Sequence, residues 1–225
     1  MTTMIIGFVS CGSGEPTSLI GESADKVNKV GPAFSDITIE KQDNTTKPTD
    51  KTDPGKTNKP VNPDESLAKT VVFETNLGSY EISLFPETPI ASKNMIDKVS
   101  SGFYNGLIFH RIMKGFMVQG GDPTGTGGGG GDMSLDERQV STMNKKGTIS
   151  MASSQAGVNQ SDCQFFINTF DNTGSLDPQG FVAFGQVTKG YDVVEKIENT
   201  PVGPSMSGEN SKPLQEVRII KAYVK

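Results

Sequence analysis

A chain of 225 residues with 33% hydrophobic and 21% charged side chains has room for one domain or two small ones. Its apolar share is below the ordinary globular level while 26 Gly and 13 Pro are on the high side, so part of it is expected to stay unpacked. A net charge of −5 offers no basic field for nucleic acid, one His excludes a His-cluster metal site, and two Cys exclude a disulfide scaffold or a four-thiolate zinc site.

The first sixteen residues are MTTMIIGFVSCGSGEP. Met4 to Val9 is an apolar run far too short to span a bilayer, and small residues surround Cys11. Phe8-Val9-Ser10-Cys11 resembles the end of a bacterial lipoprotein signal peptide, which implies cleavage before Cys11 and a lipid on its thiol. No Lys or Arg precedes the apolar run, a departure from that pattern. Residues 12–68 then carry one aromatic (Phe34), ten acidic residues, seven Lys and six Pro. Such a stretch cannot bury enough surface to offset its ordering entropy, so it reads as a disordered polar linker between a lipidated residue and a folded body. On this reading the protein is extracytoplasmic, attached peripherally to the bacterial cell membrane through Cys11.

From Lys69 the pattern changes. KTVVFETNLGSYEISLF predicts strand, turn, strand, with Tyr80, Ile82 and Leu84 alternating onto one face. Thr88 to Ser101 predicts a helix with Pro89 in its first turn and Gly102 at its end. Short strands are expected over 107–113, 116–119, 147–152, 164–169, 181–187 and 216–224, and a second helix over 190–198. Many short strands with two isolated helices point to a mainly β, closed antiparallel barrel with helical plugs.

The familiar catalytic signatures are missing. No Ser sits in a G-x-S-x-G elbow. Cys163 reads as a small buried apolar residue. The tract from Gly125 to Gly131 lacks the Lys-Ser/Thr ending of a phosphate-binding loop and reads as a plain loop. What stands out is FHRIMKGFMVQGGD, Phe109 to Asp122, two strands joined at Lys114-Gly115. Alternation puts His110 and Arg111 on opposite faces, and Met117 and Gln119 on one face with Phe116 on the other.

FHRIMKGFMVQGGDPTGTG, GTISMAS, QFFIN, the LD…FVAFGQV run and the helix after Gly190 come in the order and spacing of the cyclophilin-type peptidyl-prolyl cis-trans isomerases, and residues 69–225 resemble that family throughout. The resemblance implies an eight-stranded antiparallel barrel capped by two helices, no cofactor and no metal, and proline-containing polypeptides as clients of a monomeric enzyme. It implies that Arg111 is catalytic with Gln119 as its orienting partner. Phe116, Met117, Phe166 and Leu176 fall on the proline pocket, and Ala152, Ser153 and Gln164 on the peptide groove. Phe181 falls where many eukaryotic members carry a pocket His. Ser175 falls near the Trp of drug-sensitive members, and this chain has no Trp. Residues 154–162 read as a loop longer than in short members. A catalytically weak module that binds proline loops, serving as a surface chaperone or adhesion partner, is the alternative function.

Overall fold

The computed structural model describes residues 64–131, 137, 142–155 and 158–225. The expected signal segment with Cys11, and the linker up to residue 63, lie outside the described residues. The last residues assigned to that linker are ordered: Glu65–Leu67 form a 3-10 turn capped by the Asp64 carboxylate, and the Asp64 N–H donates to the Pro86 carbonyl at 3.1 Å.

Ten strands and three α-helices follow among the described residues. Strands β1 (Thr70–Thr75) and β2 (Gly78–Leu84) form the expected first hairpin, with Phe73 opposite Tyr80 and their rings stacked 5.3 Å apart. Helix α1 (Pro89–Ser100) buries Ala91, Ser92, Met95 and Val99. Its free N–H groups at Ile90 and Ala91 are capped by the Glu137 carboxylate, an anion at the positive end of the helix dipole. Gly102, just past the C-cap Ser101, takes φ 74, which suits a residue without a Cβ. Strands β3 (Phe109–Met113) and β4 (Met117–Gly120) pair through a tight turn. Strands β5 (Thr148–Gln155), β6 (Val158–Asn168) and β7 (Ala183–Lys189) complete the middle of the sheet. Between β6 and β7 lie the one-turn helix α2 (Thr173–Leu176) and a 3-10 turn, and after β7 comes helix α3 (Tyr191–Glu198). A separate small hairpin, β8 (Val202–Pro204) and β9 (Asn210–Pro213), precedes the last strand, β10 (Ile219–Val224).

Eight strands form one antiparallel sheet in the order β10-β1-β2-β7-β5-β6-β4-β3. The closed barrel expected from sequence is corrected here. The sheet is a strongly curled but open half-barrel, whose edge strands meet through a single bridge, Ile108 to Arg218, and a few flanking backbone bonds instead of a ladder. The expectation of two helices is corrected as well, because four residues of α2 are too few to show a helical period in the sequence. Residues 154–162, read as a loop, belong mostly to strands: Ser153 pairs with Gln160 and Gln155 with Val158, past a register shift after Met151. Polar residues at such a shift do not alternate, which hid the strands.

Inside the curl sits the main core, where Phe73, Tyr80, Tyr104, Phe109 and Phe165 are all 1% exposed or less. A second, smaller apolar cluster is separate from it and consists of Met117, Ala152, Phe166 and Leu176, with Met113, Phe116 and Phe181 packed against them.

Candidate active site

The second cluster exists because strand register brings distant segments together. Arg111 pairs with Gln119 across β3 and β4, and Gln119 pairs with Phe166 across β4 and β6. The turn from Met113 to Phe116 is closed by the Phe116 N–H on the Met113 carbonyl at 3.0 Å, with Gly115 at φ 73. Phe116 therefore belongs to the turn and escapes strand alternation. It lies on the same side as Met117 and Gln119, which corrects the expectation that it faces away.

These residues line an open pocket, walled by Arg111, Phe116, Met117, Gln119, Ala152, Ser153, Phe166, Leu176 and Phe181. Nine of the ten residues expected at the site are thus together. The floor is apolar: Met117, Phe166 and Leu176 are each buried, and Phe181 meets Phe166 edge-on with centroids 5.8 Å apart. Phe181 fills the wall where the resemblance allowed a His, so no imidazole lines the pocket.

The walls are pinned from behind. Asn172 Nδ2 donates to the Phe116 carbonyl at 2.8 Å, and Asn144 Nδ2 donates to the Phe181 carbonyl at 2.8 Å. Both asparagines are buried and share Asn168: Asn172 Nδ2 donates to Asn168 Oδ1, and Asn168 Nδ2 donates to Asn144 Oδ1. A satisfied buried network of this kind fixes backbone positions.

Gln164, the tenth expected residue, does not line the pocket. It stands behind Gln119, whose Nε2 donates to Gln164 Oε1 at 2.9 Å. Gln164 Nε2 in turn donates to the carbonyls of Gly127 and Gly129, at 3.1 and 2.6 Å. The glycine tract, read from sequence as a plain loop, therefore serves as the seat of this amide. The Asp122 carboxylate shapes the tract by accepting from the N–H groups of Thr124, Thr126 and Gly127.

Among the described residues, Arg111 is the one charged group in the pocket wall. Its Nη1 donates to Gln119 Oε1 at 3.2 Å. Its Nε and Nη2 are taken by Glu209, at 2.7 and 2.8 Å, in a forked pair. The hydrogen bond from Arg111, offset in part by burial, holds the Glu209 carboxyl below the usual carboxylate range. Glu209 was not among the expected residues. It lies 98 positions from Arg111 in the loop of the β8–β9 hairpin, where no pattern marks it.

The other reactive side chains are set apart. Cys163 is fully buried, and burial pushes its thiol up to about 11. His110 faces away from the pocket, beneath Gly127; burial pushes its imidazole down to about 4, and neither ring nitrogen has a hydrogen-bond partner.

Residues 70–224 match the family model described as cyclophilin type peptidyl-prolyl cis-trans isomerase/CLD. The chain belongs to this family. The cyclophilin-type domain is 39% identical over 163 residues to mouse peptidylprolyl isomerase domain and WD repeat-containing protein 1, covering 71% of this chain but only 24% of that relative. It is 37% identical over 175 residues to a peptidyl-prolyl cis-trans isomerase of Acinetobacter baylyi, covering 71% of this chain and 88% of the relative. An Arabidopsis thaliana isomerase, CYP18-1, is 40% identical over 161 residues, with coverages of 69% and 95%. Among solved structures, a Cryptosporidium parvum cyclophilin-type isomerase superposes with a TM-score of 0.62 at 34% identity, covering 70% of this chain and 97% of that one. These relatives come from an animal, a bacterium, a plant and a protist.

Proposed function

We propose that this cyclophilin-type domain accelerates rotation about X-Pro peptide bonds in polypeptide clients, with Arg111 stabilising the twisted amide over the apolar pocket. The observation that carries this reading is one always-charged donor set in the wall of a largely apolar pocket. Resonance gives an amide a rotation barrier of about 18–20 kcal/mol, while the two X-Pro isomers differ by only about 0.5–1 kcal/mol. A catalyst therefore needs only to favour the twisted state. No covalent bond breaks, so the reaction calls for no nucleophile, metal or redox cofactor. On twisting, the prolyl nitrogen regains a lone pair that can accept from the guanidinium. Phe116, Met117, Phe166, Leu176 and Phe181 exclude water from the ring and strengthen that interaction. A rate gain of about a millionfold needs roughly 8 kcal/mol. A charge-assisted bond contributes about 1.5–3 of it, and desolvation and ring-holding supply the remainder. Ala152 and Ser153 line the adjoining wall and would contact the peptide beside the ring.

A protease-coupled assay on a short Ala-Pro peptide tests the reading. Arg111→Ala should lower kcat/KM about tenfold to a hundredfold when assayed well below its melting temperature, which falls because Glu209 is left without its partner. Equal rates would overturn it and favour a proline-loop binding module.

The proposed setting is extracytoplasmic, as a monomer tethered through a lipid on Cys11 and a polar linker. The Phe8–Cys11 pattern and the composition of residues 12–68 support this. Full-length protein expressed in bacteria should then fractionate with membranes, and Cys11→Ser should release it. A soluble wild type with residues 1–10 intact would refute the anchor.

A further inference from the structure

The pairing of Glu209 with Arg111 asks for an account beyond the family resemblance. A guanidinium has five N–H donors in one plane. Gln119 holds Arg111 at a single point, Nη1 at 3.2 Å, and a side chain held at one point can still swing about it. Arg carries rotamer freedom that a lone bond does little to quench. Glu209 adds two shorter bonds on the opposite edge, Nε and Nη2 at 2.7 and 2.8 Å, and three points in a plane leave no swing. Met113 Sδ accepts from the same Nη2 at 3.0 Å. The Nη1 edge is left beside Gln119, which lines the pocket with Arg111.

The hairpin that brings Glu209 is built to do so. It forms its own two-stranded sheet, outside the eight-stranded one, and β9 packs against β3, the strand of Arg111. The Ser205 N–H donates to the Glu209 carbonyl at 2.7 Å and the Gly208 N–H to the Ser205 carbonyl at 3.0 Å, closing the loop beneath the carboxylate. Ser211, two residues on, is 1% exposed and roots the hairpin, while Met206 at its tip is 97% exposed. Both partners of the ion pair are mostly shielded, with side chains 18% and 26% exposed, so the pair is not a solvated surface contact of little consequence.

We propose that Glu209 is a positioning residue for the isomerase reaction, fixing the plane of the Arg111 guanidinium so that its Nη1 edge is presented to the prolyl amide. This rests on the role proposed above for Arg111. The carboxylate also offsets part of the positive charge, so the benefit lies in orientation and not in added field.

The test is a double-mutant cycle on the full chain with a short Ala-Pro peptide, comparing wild type, E209Q, R111K and E209Q/R111K. E209Q keeps the size of the side chain and removes its charge and second acceptor. It should lower kcat/KM about five- to twentyfold, mostly through kcat, with the melting temperature within about 2 °C of wild type. In the R111K background, which has no fork to orient, the same change should alter the rate less than about twofold. E209D, with charge kept and reach shortened, is the second variant and should fall between wild type and E209Q. The Arg111 Nε–H nuclear magnetic resonance signal, assigned by its absence in R111K, should be sharp in wild type and broadened in E209Q. Wild-type activity in E209Q would overturn the proposal, as would a gain in activity or an equal loss in both backgrounds. Equal rates for wild type and Arg111→Ala would sink the reading of Arg111 and this inference with it. A normal loss in Arg111→Ala with an unaffected E209Q would sink the inference alone.

Discussion

Lowering the pH from 7.5 to 5 should destabilise the domain by about 2 kcal/mol, with His110 as the source. In the unfolded chain the imidazole titrates at its ordinary 6.5, whereas in the fold burial pushes it down to about 4, against a weaker opposing pull from Asp122 and with Arg111 adding to the depression. Between those values the unfolded chain binds a proton that the folded chain refuses, so stability must fall as the pH falls. At pH 5 the ratio of the two binding polynomials is about thirtyfold, which is about 2 kcal/mol, and at pH 7.5 it is close to nil. For a domain of this size that corresponds to roughly 4–8 °C in melting temperature. The carboxylates held low in the fold, Glu81, Asp122, Asp162, Asp171 and Glu209, lose most of their contribution only below about their ordinary values near 4, so they add little in this window. Urea unfolding at half-unit steps from pH 7.5 to 5 measures the effect in wild type and in His110→Phe. The variant should keep a nearly level profile whatever its absolute stability. Parallel profiles for the two proteins would refute the assignment.

Catalysis should respond to pH quite differently. With His110 depressed to about 4, Cys163 raised to about 11 and no His in the pocket wall, kcat/KM should stay level from about pH 6 to 8.5 in buffers of fixed ionic strength; a bell-shaped profile would expose a missed acid or base. Gly121→Ala should destabilise strongly, by more than about 2 kcal/mol in urea unfolding, because φ is 86 there and a Cβ would overlap the Cys163 carbonyl oxygen. Asn172→Ala leaves the Phe116 carbonyl with the Thr169 N–H as its remaining donor and breaks the asparagine network. It should lower melting temperature and raise KM for the peptide together, and an unchanged KM would show that the pocket wall stands without it.

What the sequence made legible follows from how local each feature is. Tyr80, Ile82 and Leu84 alternate within one strand, and all three are buried as expected. Arg111 and Gln119 lie on adjoining strands of one hairpin, so their meeting could be read from eight residues of separation. Phe116 was misjudged because a turn, where alternation has no meaning, begins before the strand does. The hairpin of β8 and β9 runs through PVGPSMSGENSKP, whose Gly, Pro and Ser give turn signals and no period. Glu209 was invisible for the same reason, and its partner is fixed by tertiary packing alone. Gln164 was named through the resemblance, but a motif gives position along the chain and not depth, so its place behind Gln119 emerged only from three-dimensional contacts.

The amides behind Arg111 have a polarity. Gln164 faces two carbonyls, from Gly127 and Gly129, and only its NH₂ end can meet them. Its oxygen is thereby turned toward Gln119, which must answer with its own NH₂ and so turn its oxygen to the guanidinium. Each side chain has one allowed sense, dictated by the one behind it, and the sequence of senses begins at two backbone oxygens in a glycine loop. A carboxylate in place of the Gln164 amide would set acceptor against acceptor at the two glycine carbonyls while still accepting from Gln119, so the conflict stays at the loop. An isosteric substitution behind the pocket wall would thus unseat the chain of amides at its glycine end, while the sense reaching the arginine is kept.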